Sequence, residues 1–141
     1  MAAQRFAHVG LCCKDPAATE QFYTRHFGFR RARVLGSGPD QVVFIKTASG
    51  DLSFELFRAT EPAGPPPSGA GPGSPCYRHL AFQVDSVDAT LAALGADARV
   101  TAGPMNFDHF IPGWRTAWIA DPDDRIVEIT QGYVDQDQPS A

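Results

Sequence analysis

Two stretches of this sequence decide its fold. The first reads His8-Val-Gly-Leu-Cys-Cys-Lys-Asp-Pro-Ala-Ala-Thr19, and the second reads His79-Leu-Ala-Phe-Gln-Val-Asp-Ser-Val-Asp-Ala-Thr90. At a constant offset of 71 positions the His, Ala and Thr residues coincide, and apolar or small residues coincide between them. Each stretch begins with the alternation of a strand and continues with a helix start, which predicts an internal duplication.

The order of elements follows from the residues around these stretches. The first predicted helix, Pro16–Phe27, has Asp15 before it, proline at its first position and Gly28 as a left-handed cap. A shorter helix is predicted from Ser86 to Gly95. The strand-like runs are Phe29–Leu35, Gln41–Thr47, Leu52–Phe57, Ala98–Thr101, Trp114–Ala120 and Arg125–Thr130. The sequence therefore predicts βαβββ twice, an α+β fold of two tandem modules.

A Pro- and Gly-rich segment separates the two predicted modules. Residues 61–75 contain six prolines and four glycines, a composition that sustains neither a helix nor a sheet ladder. We therefore expect a first module at 1–60, a linker at 61–75, a second module at 76–132 and a C-terminal tail at 133–141.

Composition excludes several classes of function. The 141 residues are 43% hydrophobic and 20% charged, which is typical of a globular protein. A net charge of −4 argues against a nucleic-acid partner, and no apolar run approaches the ~20 residues of a membrane span. We expect no secretory leader. The three cysteines, two of them adjacent at Cys12 and Cys13, give no disulfide framework, which favours a cytoplasmic location.

Strand alternation selects four polar residues for a candidate site. In each module, one His on the first strand and one Glu on the last strand lie opposite the apolar face, because side chains two apart share a face. These residues are His8, Glu55, His79 and Glu128. The separations are 47 and 49 positions, so the two sets are related by the repeat.

Imidazoles and carboxylates that meet in one cavity are costly unless they are paired, protonated or bound to metal. One divalent ion satisfies all four, and Ni, Co, Zn, Mn or Fe suits such a ligand set. Six-coordination would leave two positions for water or for a substrate with adjacent oxygens. The alternative is that each His is a hydrogen-bonded structural group and each Glu faces water.

The same residues resemble the vicinal oxygen chelate superfamily, which includes glyoxalase I, methylmalonyl-CoA epimerase, extradiol dioxygenases and the fosfomycin and bleomycin resistance proteins. The matching segments are His8-Val-Gly-Leu, Asp15-Pro16, Phe22-Tyr23, Phe27-Gly28-Phe29, Phe54-Glu55-Leu56-Phe57, His79-Leu-Ala-Phe-Gln-Val and Asp121-Pro-Asp-Asp-Arg-Ile-Val-Glu128-Ile. They extend from about Arg5 to Gln131. Singly these segments are weak, but their order is specific to the superfamily.

The resemblance implies two βαβββ modules that form a cupped, partly closed mixed sheet around one metal, with the helices outside. His8, Glu55, His79 and Glu128 fall on the positions where the lyases and epimerases of the superfamily carry metal ligands. Many members are homodimers whose sites are shared between chains. Both intrachain and swapped pairing of the modules therefore stay open.

The resemblance favours a glyoxalase-like lyase or isomerase acting on a small molecule with vicinal oxygens through an enediolate, with Glu128 or Glu55 as the base. The alternatives are a non-catalytic drug-binding protein of the same fold and an Fe(II) ring-cleaving dioxygenase. No basic cluster suited to a coenzyme A phosphate tail is evident. The predicted substrate contacts are Phe6, Phe44, Phe57, Tyr77, Phe107, Trp114 and Arg115.

Overall fold

The computed structural model describes residues 3–140, and the chain divides into two compact units, residues 1–65 and 66–141. Each unit has the order βαβββ, which confirms an α+β fold of tandem modules. The segment predicted as a linker, residues 61–75, spans the division.

The first module is one open four-stranded sheet with a helix on one face. Its elements are β1 (Val9–Cys13), α1 (Pro16–Phe27), β2 (Arg30–Leu35), β3 (Val42–Lys46) and β4 (Ser53–Arg58). The strand order is β1-β4-β3-β2, with β1 parallel to β4 and the other pairs antiparallel.

The second module repeats this plan. Its elements are β5 (Leu80–Gln83), α2 (Val87–Leu94), β6 (Val100–Asn106), β7 (Arg115–Ala120) and β8 (Ile126–Gln131). The strand order is β5-β8-β7-β6, with β5 parallel to β8. The sequence predicts each His on the first strand of its module, but His8 and His79 directly precede β1 and β5. Because the parallel pair joins the first and last strands of each module, it still brings each His close to the Glu on the last strand.

Both helices begin and end where the capping residues predict. The Asp15 carboxylate accepts a hydrogen bond from the Ala17 amide at 3.0 Å, and Gly28 ends α1 with a φ of 68°. In the second module the Ser86 hydroxyl accepts from the Ala89 amide at 3.1 Å. No helix in the described part of the chain is long and apolar enough to cross a membrane.

One strand is longer than the sequence predicted. The sequence predicts a strand that ends at Thr101, but β6 continues through Gly103 and Pro104 to Asn106. Because β6 is the edge strand of its sheet, Pro104 can occupy it without breaking an interior ladder. The ladder accommodates the interruption with register shifts between Ala102 and Met105.

The two modules have different cores between helix and sheet. In the first module the core is aromatic: the Phe54 ring stacks on Phe29 at 4.9 Å and meets Tyr23 edge-on at 5.0 Å. In the second module the buried residues on the helix side of the sheet are aliphatic. They are Val87, Leu94, Ile119, Val127 and Ile129.

Candidate functional site

His8 and Glu55 form a direct pair in the first module. The parallel register places Gly10 opposite Glu55, and His8 precedes Gly10 by two residues on the same face. The His8 Nε2 atom lies 3.0 Å from the Glu55 Oε2 atom. The two side chains are 41% and 18% exposed, so the pair is open to solvent on the imidazole side.

His79 and Glu128 form the corresponding pair in the second module. Ala81 lies opposite Glu128, again two residues after the His. Here Nε2 and Oε2 are 2.7 Å apart, and the side chains are only 23% and 13% exposed. The repeat seen in the sequence is therefore a repeat of geometry, because each module joins a His Nε2 to a Glu carboxylate across its parallel strand pair.

This arrangement fits two chemical uses. A proton shared between Nε2 and Oε2 gives a structural ion pair, whereas a cation that replaces the proton makes both atoms ligands. Among residues 3–140 no group of three or more His, Cys, Asp or Glu side chains is close enough to hold a metal ion. Each module thus supplies two ligand atoms of the types that Mn, Fe, Co, Ni and Zn accept.

The remaining ring nitrogen distinguishes the two histidines. The His79 Nδ1 atom lies 2.7 Å from the carbonyl oxygen of Ala70, in the Pro- and Gly-rich segment. Since a carbonyl only accepts, Nδ1 is the donor in this contact, while Nε2 faces the Glu128 carboxylate. The sequence analysis missed Ala70, because a main-chain contact carries no residue signature.

An aromatic and hydroxyl cluster lies beside Glu128. The Trp114 indole donates to Thr130 Oγ1 at 2.9 Å, and Thr130 bonds Thr116 at 2.8 Å. The Phe107 ring lies 5.0 Å from Trp114 and 6.5 Å from Trp118. Two of the predicted contacts, Phe107 and Trp114, are thus brought together.

The sequence analysis missed Trp118, which lies directly opposite Glu128 in the register. Its side chain is 8% exposed, its ring lies 6.4 Å from His79, and its buried Nε1 has no hydrogen-bond partner among the described residues. Alternation along the predicted strand 114–120 would have found it, because Trp114, Thr116 and Trp118 share a face.

A second group of predicted contacts lines a depression beside His8. Phe6 and Phe44 both border this open depression, which has a volume of about 720 Å³. The His8 ring meets Phe44 edge-on at 5.5 Å. Phe57 lies against Gly10 on the same strand pair, where a Cβ on the glycine would be 3.6 Å from the ring.

Two predicted contacts lie elsewhere. Arg115 donates to Asp88 at 2.9 Å and to Asn106 at 2.8 Å, and it alternates with Trp118 on β7. It therefore occupies the helix side of the sheet, opposite to Glu128. Tyr77 is half exposed beside Asp121 and Arg125, and partial burial raises the pKa of its phenol.

Solved structures with the same fold carry several different activities. The fosfomycin resistance protein FosX from Listeria monocytogenes is 18% identical, with 94% of this chain and 97% of that chain covered and a TM-score of 0.68. The antibiotic binding protein TnmS3 from Streptomyces sp. CB03234 is 23% identical, with 93% and 100% covered and a TM-score of 0.62. One FosX structure contains Mn(II).

A glyoxalase/dioxygenase from Nostoc punctiforme is 20% identical, with 95% and 100% covered and a TM-score of 0.63. A comparison with curated proteins found no match. The family model described as Glyoxalase/Bleomycin resistance protein/Dioxygenase superfamily matches residues 5–129, which is most of both modules. The chain belongs to this superfamily.

Proposed function

We propose that this protein is a metal-dependent lyase or isomerase that acts on a small molecule with vicinal oxygens. The observation that carries the proposal is the repeated pair: a His Nε2 and a Glu Oε2 at 3.0 Å in one module and at 2.7 Å in the other. Two histidines placed by chance would not each contact a glutamate, at the same strand register and through the same pair of atoms, Nε2 and Oε2. The proposed ligand set is His8, Glu55, His79 and Glu128.

A divalent ion bound by this set would polarise a substrate carbonyl and stabilise an enediolate. The chain itself supplies the base. In our proposal the Glu128 carboxylate takes a proton from the carbon beside the carbonyl and returns it to the product. Its side chain is 13% exposed, so little water competes for that proton. Glu55, 18% exposed, is the alternative base.

A second candidate function is the sequestration of an aromatic drug without catalysis. It is favoured by the partly exposed rings of Phe107 and Trp114, which offer stacking surface and lie 5.0 Å apart, and by the shared fold of TnmS3. Tight binding of an aromatic antibiotic to metal-stripped protein without product formation would establish it. A third candidate function is that of an Fe(II) ring-cleaving dioxygenase. Measurement of oxygen uptake in the presence of catechols tests it.

The first experiment is elemental analysis of protein purified without added metal or chelator. We expect close to one Ni, Co, Zn, Mn or Fe ion per complete ligand set. His8→Ala should lose the metal, because it removes one ligand atom. The matched control is His26→Ala, since His26 lies on α1 against Phe22 and outside both pairs. Wild-type protein that neither contains metal nor takes up added ions would contradict the proposal.

We also propose that the protein is a cytoplasmic homodimer, in which a site joins two modules either of one chain or of both chains. Mixing His8→Ala with His79→Ala protein tests the pairing. If a site joins the first module of one chain to the second module of the other, half of the sites in the mixed dimer keep all four ligands and regain metal. If each site belongs to one chain, every site stays defective.

A further inference from the structure

We propose that the first module recognises an anionic group of the substrate, a carboxylate, phosphonate or phosphate, on the sheet face that carries Glu55. This inference deepens the proposed function, because it names the chemical class of the ligand. It starts from a row of cations that the sequence alone does not reveal, since Arg30 and Arg33 come from β2 and Lys46 comes from β3.

The strand register places these cations. Arg30 lies opposite Lys46, and Arg33 lies opposite Phe44, which itself lies opposite Glu55. Directly paired residues point to the same face of a sheet. Arg30, Arg33 and Lys46 therefore share the face of Glu55.

The neighbouring Arg31 points the other way. It contacts Glu20 of α1 through two hydrogen bonds of 2.8 and 2.6 Å, and this contact raises the pKa of its guanidinium. The arginines of β2 are thus divided between the two faces, and only those on the Glu55 face are left without a carboxylate.

The charges on this face are unbalanced. In the described part of the chain, Arg30, Arg33 and Lys46 make no ion pair and no side-chain hydrogen bond, and the carboxylate that shares their face, Glu55, contacts His8. Like charges directly opposite each other on a sheet are destabilising. The net charge of the chain is −4, so the row does not reflect general basicity. A bound anion would remove this repulsion.

The depression beside His8 gives the anion a location. Lys46 and Arg5 both line it, together with the rings of Phe6 and Phe44 and with His8. Its volume of about 720 Å³ lies in the range of small-molecule sites. An anionic tail held by Lys46 and Arg30 would therefore leave the rest of the ligand next to the His8–Glu55 pair, where the proposed chemistry takes place.

The test uses metal-free protein and two probes, inorganic phosphate and phenylphosphonate, titrated by calorimetry and by amide chemical shifts. We expect saturable binding with shifts centred on β2 and β3. Lys46→Gln and Arg30→Gln should each raise the dissociation constant about tenfold or more, because each removes a charge-assisted contact. Arg31→Gln is the matched control, since it removes the same charge from the opposite face, and it should leave the affinity unchanged.

Absence of saturable binding would overturn the inference, and so would equal weakening by Arg30→Gln and Arg31→Gln. Because the measurement needs no metal and no turnover, its result is independent of the elemental analysis. Protein that binds metal but not the anions contradicts only the inference, whereas protein that binds the anions but not metal contradicts only the proposed function.

A separate observation carries a second inference: we infer that residues 69–72 are a positioning segment for His79. Three hydrogen bonds join the segment to its own module, each from a side chain to a main-chain carbonyl. They run from His79 Nδ1 to Ala70 at 2.7 Å, from Arg78 to Pro72 at 2.9 Å and from Thr101 to Gly69 at 2.6 Å. A metal-binding imidazole usually donates its second N–H to such a carbonyl, which fixes the tautomer.

Gly71 keeps this segment in place. Its φ is +114°, and an added Cβ would collide with the carbonyl oxygen of Arg78, the residue before His79. Gly71→Ala must therefore move the segment away from the strand. Gly73 has no such constraint, because its Cβ would meet nothing within 4 Å and its φ is not positive, so Gly73→Ala is the matched control.

The readout is the Nδ1–H proton of His79 in ¹H–¹⁵N spectra, because its signal and slow exchange with solvent report the hydrogen bond to Ala70 whether or not Nε2 also carries a proton toward Glu128. We expect this signal in wild-type and Gly73→Ala protein, and its loss in Gly71→Ala. Thr101→Val is a milder variant that removes one anchor of the segment without changing its backbone. Cobalt or zinc affinity should fall about tenfold or more in Gly71→Ala.

An Nδ1 without a proton in wild-type His79 would overturn this inference, and so would an unchanged Nδ1–H signal in folded Gly71→Ala protein. The spectra are recorded without metal, so they do not depend on the proposed function. A protonated Nδ1 in a protein that binds no metal would contradict only the metal proposal.

Discussion

In the first module aromatic rings fill the space between α1 and the sheet, whereas in the second module that space is aliphatic and the rings lie on the face that carries Glu128. Phe29 and Phe54 are buried under α1, and the Glu55 face combines Phe44 and Phe57 with a row of cations. In the second module Trp114 and Trp118 share the face of Glu128, while the helix side is aliphatic.

This difference shows how a duplicated fold acquires two kinds of ligand surface. Both modules bury one face of the sheet under a helix, and either aromatic or aliphatic side chains fill that space. The opposite face is then available for chemistry. The first module offers charge around His8 and Glu55, and the second offers apolar rings and hydroxyl groups around His79 and Glu128.

The largest expected effect is a difference in the free energy of unfolding between substitutions on the two faces of the first module's sheet. Phe54→Ala should destabilise the protein by about 3–5 kcal/mol, because it empties a fully buried ring position that contacts Tyr23 and Phe29. Phe44→Ala, on the partly exposed opposite face, should cost much less. Urea unfolding monitored by circular dichroism measures both. Equal costs would show that the two faces contribute alike to the core.

A smaller effect is expected on metal affinity, which should depend more on the second His–Glu pair than on the first. Glu128→Gln should weaken metal binding about 100-fold, and Glu55→Gln about tenfold, as measured by competition with a chelating dye. The reason is that the His79–Glu128 distance is shorter than the His8–Glu55 distance and that its two side chains are less exposed. In addition, the carbonyl of Ala70 orients His79, whereas the His8 side chain is 41% exposed. A larger loss in Glu55→Gln would reverse this order and make the first module the dominant half of the site.

The smallest expected effect compares the two helices. Asp15→Ala and Ser86→Ala should each cost about 1 kcal/mol, because each removes a side chain that accepts a hydrogen bond from an amide of the first helical turn. Thermal unfolding of the two variants measures the costs. A cost confined to one variant would show that the modules do not depend on their caps in the same way.

Much of the fold could be predicted from the sequence because its signals are local. Asp15 and Gly28 bound α1, and alternation places His8 and Glu55 on the unburied face of their strands. The length of β6 could not be predicted, because tolerance of Pro104 depends on the position of the strand at the edge of its sheet.

Part of the candidate site could likewise be predicted from the sequence, and part of it could not. The four proposed ligands follow from periodicity and resemblance. The cation row does not, because Arg30 and Lys46 become neighbours only when β2 and β3 pair. The partner of Arg115 could not be predicted either, because Asp88 on α2 comes within 2.9 Å of it only when α2 packs on the sheet.

The strand topology also has a consequence for the time at which each sheet can form during synthesis. Each sheet takes all four strands from one contiguous half of the chain, and its last strand pairs with its first. The parallel β1–β4 ladder therefore needs nothing translated after Arg58. Nascent chains emerge in order and fold by contiguous units, so the first sheet can close on the ribosome before β8 has been added.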